Sequence, residues 1–92
     1  MPYELILTGK FKKSLKLARK RGLNISLLED VVTKLQNNII LEEKYRDHEL
    51  KGTYQGFREC HIQPDWLLIW EQRETELILI LTDTGTHADL FG

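Results

Sequence analysis

A single cysteine, Cys60, leaves this chain without any possible intrachain disulfide, and a buried thiol in a reducing compartment is the simple expectation. Long hydrophobic runs are missing as well. The longest, Leu77 to Leu81, falls far short of the roughly 20 residues that a membrane-spanning helix needs, so no membrane association is expected. The start, Met1-Pro2-Tyr3-Glu4, lacks the basic-then-apolar layout of a signal peptide, which points to a cytoplasmic protein. Charge of one sign is also scarce. Thirteen Lys and Arg against 14 Asp and Glu leave a formal net charge of −1, which argues against a generally basic nucleic-acid-binding surface. There are no repeats and no low-complexity segment.

What is present fits one domain spanning residues 1–92, with no room for a second core. A hydrophobic share of 41% suffices for a sheet covered by helices. A domain this small buries only about 60–65% of its unfolded surface, so its stability alone should be modest. The charges are unevenly placed. Seven basic residues and no acid lie between Leu5 and Leu28: Lys10, Lys12, Lys13, Lys16, Arg19, Lys20 and Arg21. Such a stretch suits either a cationic helix facing phosphate or an ordinary solvated helix face.

Tyr3 to Leu7 reads as a short strand. Thr8 can cap a following helix in which Phe11, Leu15 and Ala18 recur at helical spacing, and Gly22 ends it. A second helix is expected from Ser26, with Glu29 completing a capping box, and Leu28, Val31, Val32, Leu35 and Ile39 form its apolar stripe. Residues 40–55 hold no period and read as a long surface loop. Strands follow at Phe57–Ile62, Asp65–Glu71 and Glu76–Thr82, the last nearly continuously apolar and so expected to be central and buried on both sides. The predicted fold is α+β: an N-terminal strand, a helical hairpin, then an antiparallel three-strand meander. Together these would make a four-stranded sheet with helices on one face and the other free for a ligand.

All three histidines sit beside polar groups or turns at the ends of predicted strands, which suggests a site for proton transfer. Alternation in the Phe57–Ile62 strand puts Phe57, Glu59 and His61 on one face and Arg58, Cys60 and Ile62 on the other. With a three-residue loop, His61 and Asp65 would oppose each other at roughly 5 Å, whereas a two-residue turn would separate them. A salt bridge at a hairpin end is the plainer reading of that pair. His87 follows the last strand in Thr84-Gly85-Thr86-His87, a sequence suited to a sharp exit turn. Composition favours a core position for Phe91 over a base-stacking one, and by default His48 is a solvated loop residue. No H-E-x-x-H or C-x-x-C spacing occurs, so no metal site is expected.

Three segments carry a resemblance that covers essentially the whole chain. They are Asp47-His48-x-Leu50-x-Gly52, Gly56-Phe57-Arg58-Glu59-x-His61-Ile62-x-Pro64-Asp65-Trp66 and Thr84-Gly85-Thr86-His87-Ala88-x-Leu90-Phe91. Together with the element order they resemble the YafQ branch of the RelE/ParE toxin superfamily. The resemblance implies an endoribonuclease toxin of a type II toxin–antitoxin pair that enters the ribosomal A site, cuts mRNA during translation and is neutralised by a cognate antitoxin. It implies roles for His48, His61, Asp65, His87 and Phe91, with Glu59 a weaker candidate, and no metal or other cofactor. In that reading His87 is the general acid, His48 or His61 the base, and Asp65 orients His61. Arg58 would steady the phosphate and Phe91 would stack on a base. The rival from the same superfamily is a ParE-like toxin that is no nuclease and binds a protein such as DNA gyrase. An inert dimerising module is the third reading.

Overall fold

The computed structural model describes residues 2–92. Its elements run β1 (Glu4–Leu7), α1 (Gly9–Lys20), α2 (Ile25–Gln36), β2 (His48–Glu49), β3 (Arg58–Gln63), β4 (Trp66–Arg73), β5 (Ile78–Gly85) and α3 (His87–Phe91), with single 3-10 turns at Glu43–Tyr45 and Gly52–Tyr54. The α+β class and the element order agree with the sequence. The sheet, however, has five strands rather than four, in the order β1-β5-β4-β3-β2. The additional strand is β2, inside the stretch that reads as loop. Two residues are too few to display a period, and only pairing with β3 makes them a strand.

The helix ends follow local chemistry. Thr8 caps α1 as expected, its hydroxyl accepting from Phe11 N at 3.0 Å. Gly22, at φ +77°, closes the same helix: its N–H donates to Arg19 O and the N–H of Leu23 to Ala18 O, the Schellman pattern. The cap of α2 is Asn24, not Ser26. The Asn24 side chain accepts from both the Ser26 N–H and the Ser26 hydroxyl, so Ser26 enters the first turn and the helix starts at Ile25.

Both long helices cover one face of the sheet. Phe11, Ala18, Leu28, Val31, Val32 and Leu35 pack there on Cys60, Ile62, Trp66, Leu68, Trp70, Leu79 and Leu81. Fully burying each large side chain contributes roughly 1.5–3 kcal/mol. Central position belongs to β4, not to the last strand: Trp66 through Trp70 are all buried, whereas β5 alternates, with Ile78 and Ile80 only half covered. Its apolar run reflects an edge partner instead, since β1 joins β5 in parallel through Glu4–Ile78 to Leu7–Leu81. The helical hairpin carries the chain from β1 to the far edge of the sheet, and β2, β3 and β4 bring it back to β5, the long connection that a parallel pair requires.

The face away from the helices carries the chemistry. Residues directly opposite in a ladder share a face, and the register pairs His48 with Glu59, Glu59 with Ile69 and His61 with Leu67. His48, Glu59 and His61 therefore stand together over the buried Leu67 and Ile69.

Candidate active site

The turn between β3 and β4 decides how the site is wired. Gln63 pairs with Trp66, leaving Pro64-Asp65 as a two-residue turn, and the register shifts between His61 and Gln63. His61 consequently faces Leu67, and the expected opposition of His61 and Asp65 does not form. Asp65 projects toward α3, where its Oδ1 accepts from the His87 backbone N–H at 2.9 Å and from His87 Nδ1 at 2.6 Å. Those two bonds hold the Asp65 carboxyl below its ordinary range.

All three imidazoles are brought together. The ring of His61 lies 5.5 Å from that of His87 and 6.5 Å from that of His48, centroid to centroid. Each ring is also set in one orientation by an oxygen that can only accept. Nδ1 of His48 faces Arg46 O at 2.6 Å, Nδ1 of His61 faces Pro64 O at 3.3 Å, and Nδ1 of His87 faces the Asp65 carboxylate. A carbonyl or carboxylate at hydrogen-bond distance can only accept, so the Nδ1 facing it carries a proton in all three rings. Nε2 enters no hydrogen bond among the described residues and is the atom left to react.

Glu59 joins two of those atoms. Its Oε1 lies 3.4 Å from His48 Nε2 and 3.7 Å from His61 Nε2, while the side chain is only 6% exposed. Its other oxygen, Oε2, is buried without a hydrogen-bond partner among the described residues. Keeping a buried carboxylate oxygen without a partner is costly.

Phe91 is not in the core. It is 47% exposed at the end of α3 and meets Tyr54 edge to face at 5.6 Å between centroids. Composition favours burial, but α3 buries none of its five residues. Arg58 is the one candidate that the structure does not bring to the site. It pairs with Trp70 on the helix-covered face, and its guanidinium donates to Asp47 at 2.9 and 3.0 Å and reaches Glu49 at 3.4 Å.

Cations that the sequence reading overlooked occupy the place expected of Arg58. An open cavity of about 660 Å³ is lined by His61, His87, Pro64, Tyr45, Lys44 and Arg46 among others, with no carboxylate in its wall. Arg46 has φ +49°, a left-handed turn that places its carbonyl on His48 Nδ1. Nothing in the sequence marks that turn. Tyr54, the neighbour of Phe91, was also overlooked, since it falls in a stretch without periodicity.

Comparison with known proteins agrees with this arrangement. The family model described as "Bacterial toxin of type II toxin-antitoxin system, YafQ" matches residues 3–92. The mRNA interferase toxin YafQ of Escherichia coli K12 is 42% identical over 86 residues, which cover 92% of this chain and 91% of that protein. The crystal structure of YafQ from E. coli BL21(DE3) superposes with a TM-score of 0.92 at 37% identity, covering 98% of this chain and 99% of the other. YafQ in the E. coli DinJ–YafQ toxin–antitoxin complex gives 0.91 at 38% identity over the whole of both chains. With a family model that matches nearly its whole length, relatives above 30% identical and the same fold, the chain belongs to the YafQ family of bacterial type II toxin–antitoxin toxins.

Proposed function

We propose that this YafQ-family toxin is an mRNA interferase that cuts mRNA in the ribosomal A site by general acid–base catalysis without a metal. The carrying observation is that three imidazoles, each with Nδ1 already bound, stand within 5.5–6.5 Å of one another in a chain. The enzyme class follows its family relatives, named mRNA interferases. A cognate antitoxin follows from the family and from the DinJ–YafQ complexes.

In the proposed reaction the ribose 2′-OH attacks the adjacent phosphorus. His48 or His61 takes its proton on Nε2, where Glu59 Oε1 is placed to accept the new N–H. The P–O5′ bond breaks, and His87 supplies the proton that the departing 5′-oxygen needs. Products are a 2′,3′-cyclic phosphate and a 5′-hydroxyl, and no redox change occurs. Asp65 balances the charge of doubly protonated His87 and fixes its ring; it is a positioning residue. Lys44 and Arg46 replace Arg58 as the groups facing the phosphate charge. Phe91, exposed and braced by Tyr54, offers a ring on which a base can stack for about 1–3 kcal/mol.

Ribosome entry is supported by α1. Lys12, Lys13, Lys16, Arg19 and Lys20 are exposed there and enter no ion pair among the described residues. These five can meet ribosomal RNA phosphates.

The test maps 5′ ends of transcripts after brief expression of wild type and His87→Ala. New ends within reading frames, dependent on translation and lost in the variant, are expected. An acid–base group of this kind typically contributes about 10²–10⁴-fold in rate. Growth arrest by His87→Ala without transcript cleavage would instead establish a protein-binding poison of the gyrase type.

A further inference from the structure

The helix that carries His87 cannot hold itself. It has five residues, none buried, whereas isolated helices are marginal below about 12–15 residues. Its start is fixed by a capping box: Thr86 Oγ1 accepts from Asp89 N at 3.0 Å, and Asp89 Oδ2 accepts from Thr86 N at 3.0 Å. That second oxygen is shared. Arg21, the residue between α1 and Gly22, donates through Nη1 to Asp89 Oδ2 at 2.6 Å and through Nη2 to Oδ1 at 3.3 Å.

We infer that Arg21 is a positioning residue for catalysis, acting through Asp89 to hold the N-terminus of α3 and with it His87. Two separate features support the assignment. The guanidinium pulls the Asp89 carboxyl down to about 2, so the carboxylate stays ionised and its side chain stays in the capping geometry. In addition, the backbone at Gly85 makes room for Asp89: a Cβ there would lie 2.9 Å from both Asp89 Cβ and Oδ2. Arg21 thus differs in task from the other cations of α1. Among the described residues they have no carboxylate partner except for Lys10, which meets Asp83 at 3.4 Å.

The inference rests on the nuclease reading for its rate measurement but not for its structural one. Arg21→Ala, Arg21→Lys, Asp89→Asn and the Arg21→Ala/Asp89→Asn pair are compared in a translating system programmed with a defined mRNA. Asp89→Asn keeps an oxygen for the Thr86 N–H and removes only the ion pair. Misplacement of a catalytic group by about 1 Å costs on the order of 100-fold, so each single variant should lose roughly 10- to 100-fold in kcat with KM little changed. The pair should be no worse than either single variant, and Arg21→Lys should recover part of the loss. In parallel, the ring resonances of His87 should shift in Arg21→Ala and in Asp89→Asn while those of His48 stay in place. A rise in KM confined to Arg21→Ala would make Arg21 an RNA contact and overturn the assignment. So would additive losses, or an unmoved His87 ring. If wild type cleaves nothing, the nuclease reading fails, and the ring shifts alone decide the positioning role.

Discussion

His87 meets Asp65 through two bonds from one residue, the backbone N–H and Nδ1, so a single carboxylate sets both where the ring is and how it is turned. The expected result of Asp65→Asn is a fall of about 10- to 100-fold in kcat, with thermal stability near that of wild type because the side chain is exposed. The sign of its pH dependence is fixed by its lowered folded pKa. A depressed carboxyl contributes fully above its ordinary value of 3.8 and is lost only as pH falls through the lower folded value. A fall in single-turnover cleavage that sets in above that ordinary value therefore does not come from Asp65 losing its charge. A profile that stays flat in wild type but falls above pH 3.8 in Asp65→Asn would contradict the positioning role. The sequence marks the three histidines as neighbours of strand ends, but it marks neither their partners nor Lys44, Arg46 and Tyr54 beside them. One residue of loop length decides whether Asp65 faces His61 or reaches α3, and no local pattern encodes that choice. Arg58 shows the same limit. Alternation already placed it on the face opposite His61, and its role in holding Asp47 and Glu49 emerges only once β2 is paired.

Elements of two and five residues carry His48 and His87, and each depends on a neighbour. β2 exists through β3; α3 exists through Asp65, Arg21 and its own capping box. Gly85 is the tightest point of that assembly. Gly85→Ala should force α3 away from the strand end and lower kcat by about 10-fold or more through displaced His87. Stability should fall by only about 1 kcal/mol, since no core side chain moves. The check is kcat beside the melting temperature: a large drop in melting temperature with unchanged kcat would contradict it. At this scale the sequence displays the long elements well. α1, α2, β4 and β5 advertise themselves through period and caps, whereas β2 and α3 are too short to have a period. The cap of α2 was misjudged for a related reason, because Asn24 and Ser26 are both good caps and only the three-dimensional contact shows which one accepts.

Across the whole molecule the two sheet faces divide the labour. One face builds the core under α1 and α2, and the other presents the histidines over Leu67 and Ile69. Leu67→Ala should therefore cost about 2–5 kcal/mol in denaturant melts and disturb His61, its ladder partner. A cost below 1 kcal/mol would show that the floor of the site is less packed than its burial indicates. The basic helix offers a separate test. Replacing Lys12, Lys13 and Lys16 with glutamine should weaken ribosome association and flatten its dependence on salt, leaving the fold intact. An unchanged salt slope would remove α1 from the interface. The charge bias of residues 5–28 was visible from the start. That one of its arginines is spent on a carboxylate 68 positions away was not.

The parallel pairing of β1 with β5 has a consequence for how the toxin comes into being. Glu4–Leu7 finds its ladder partner only in Ile78–Leu81, so the sheet margin stays open until nearly the entire polypeptide has been synthesised. His87, placed later still, docks last. Under the proposed reaction a half-made chain lacks its general acid, and the particle that is building it should be spared until release. Nascent chains arrested before Gly85 should accordingly leave their templates whole, whereas completed and freed ones should not.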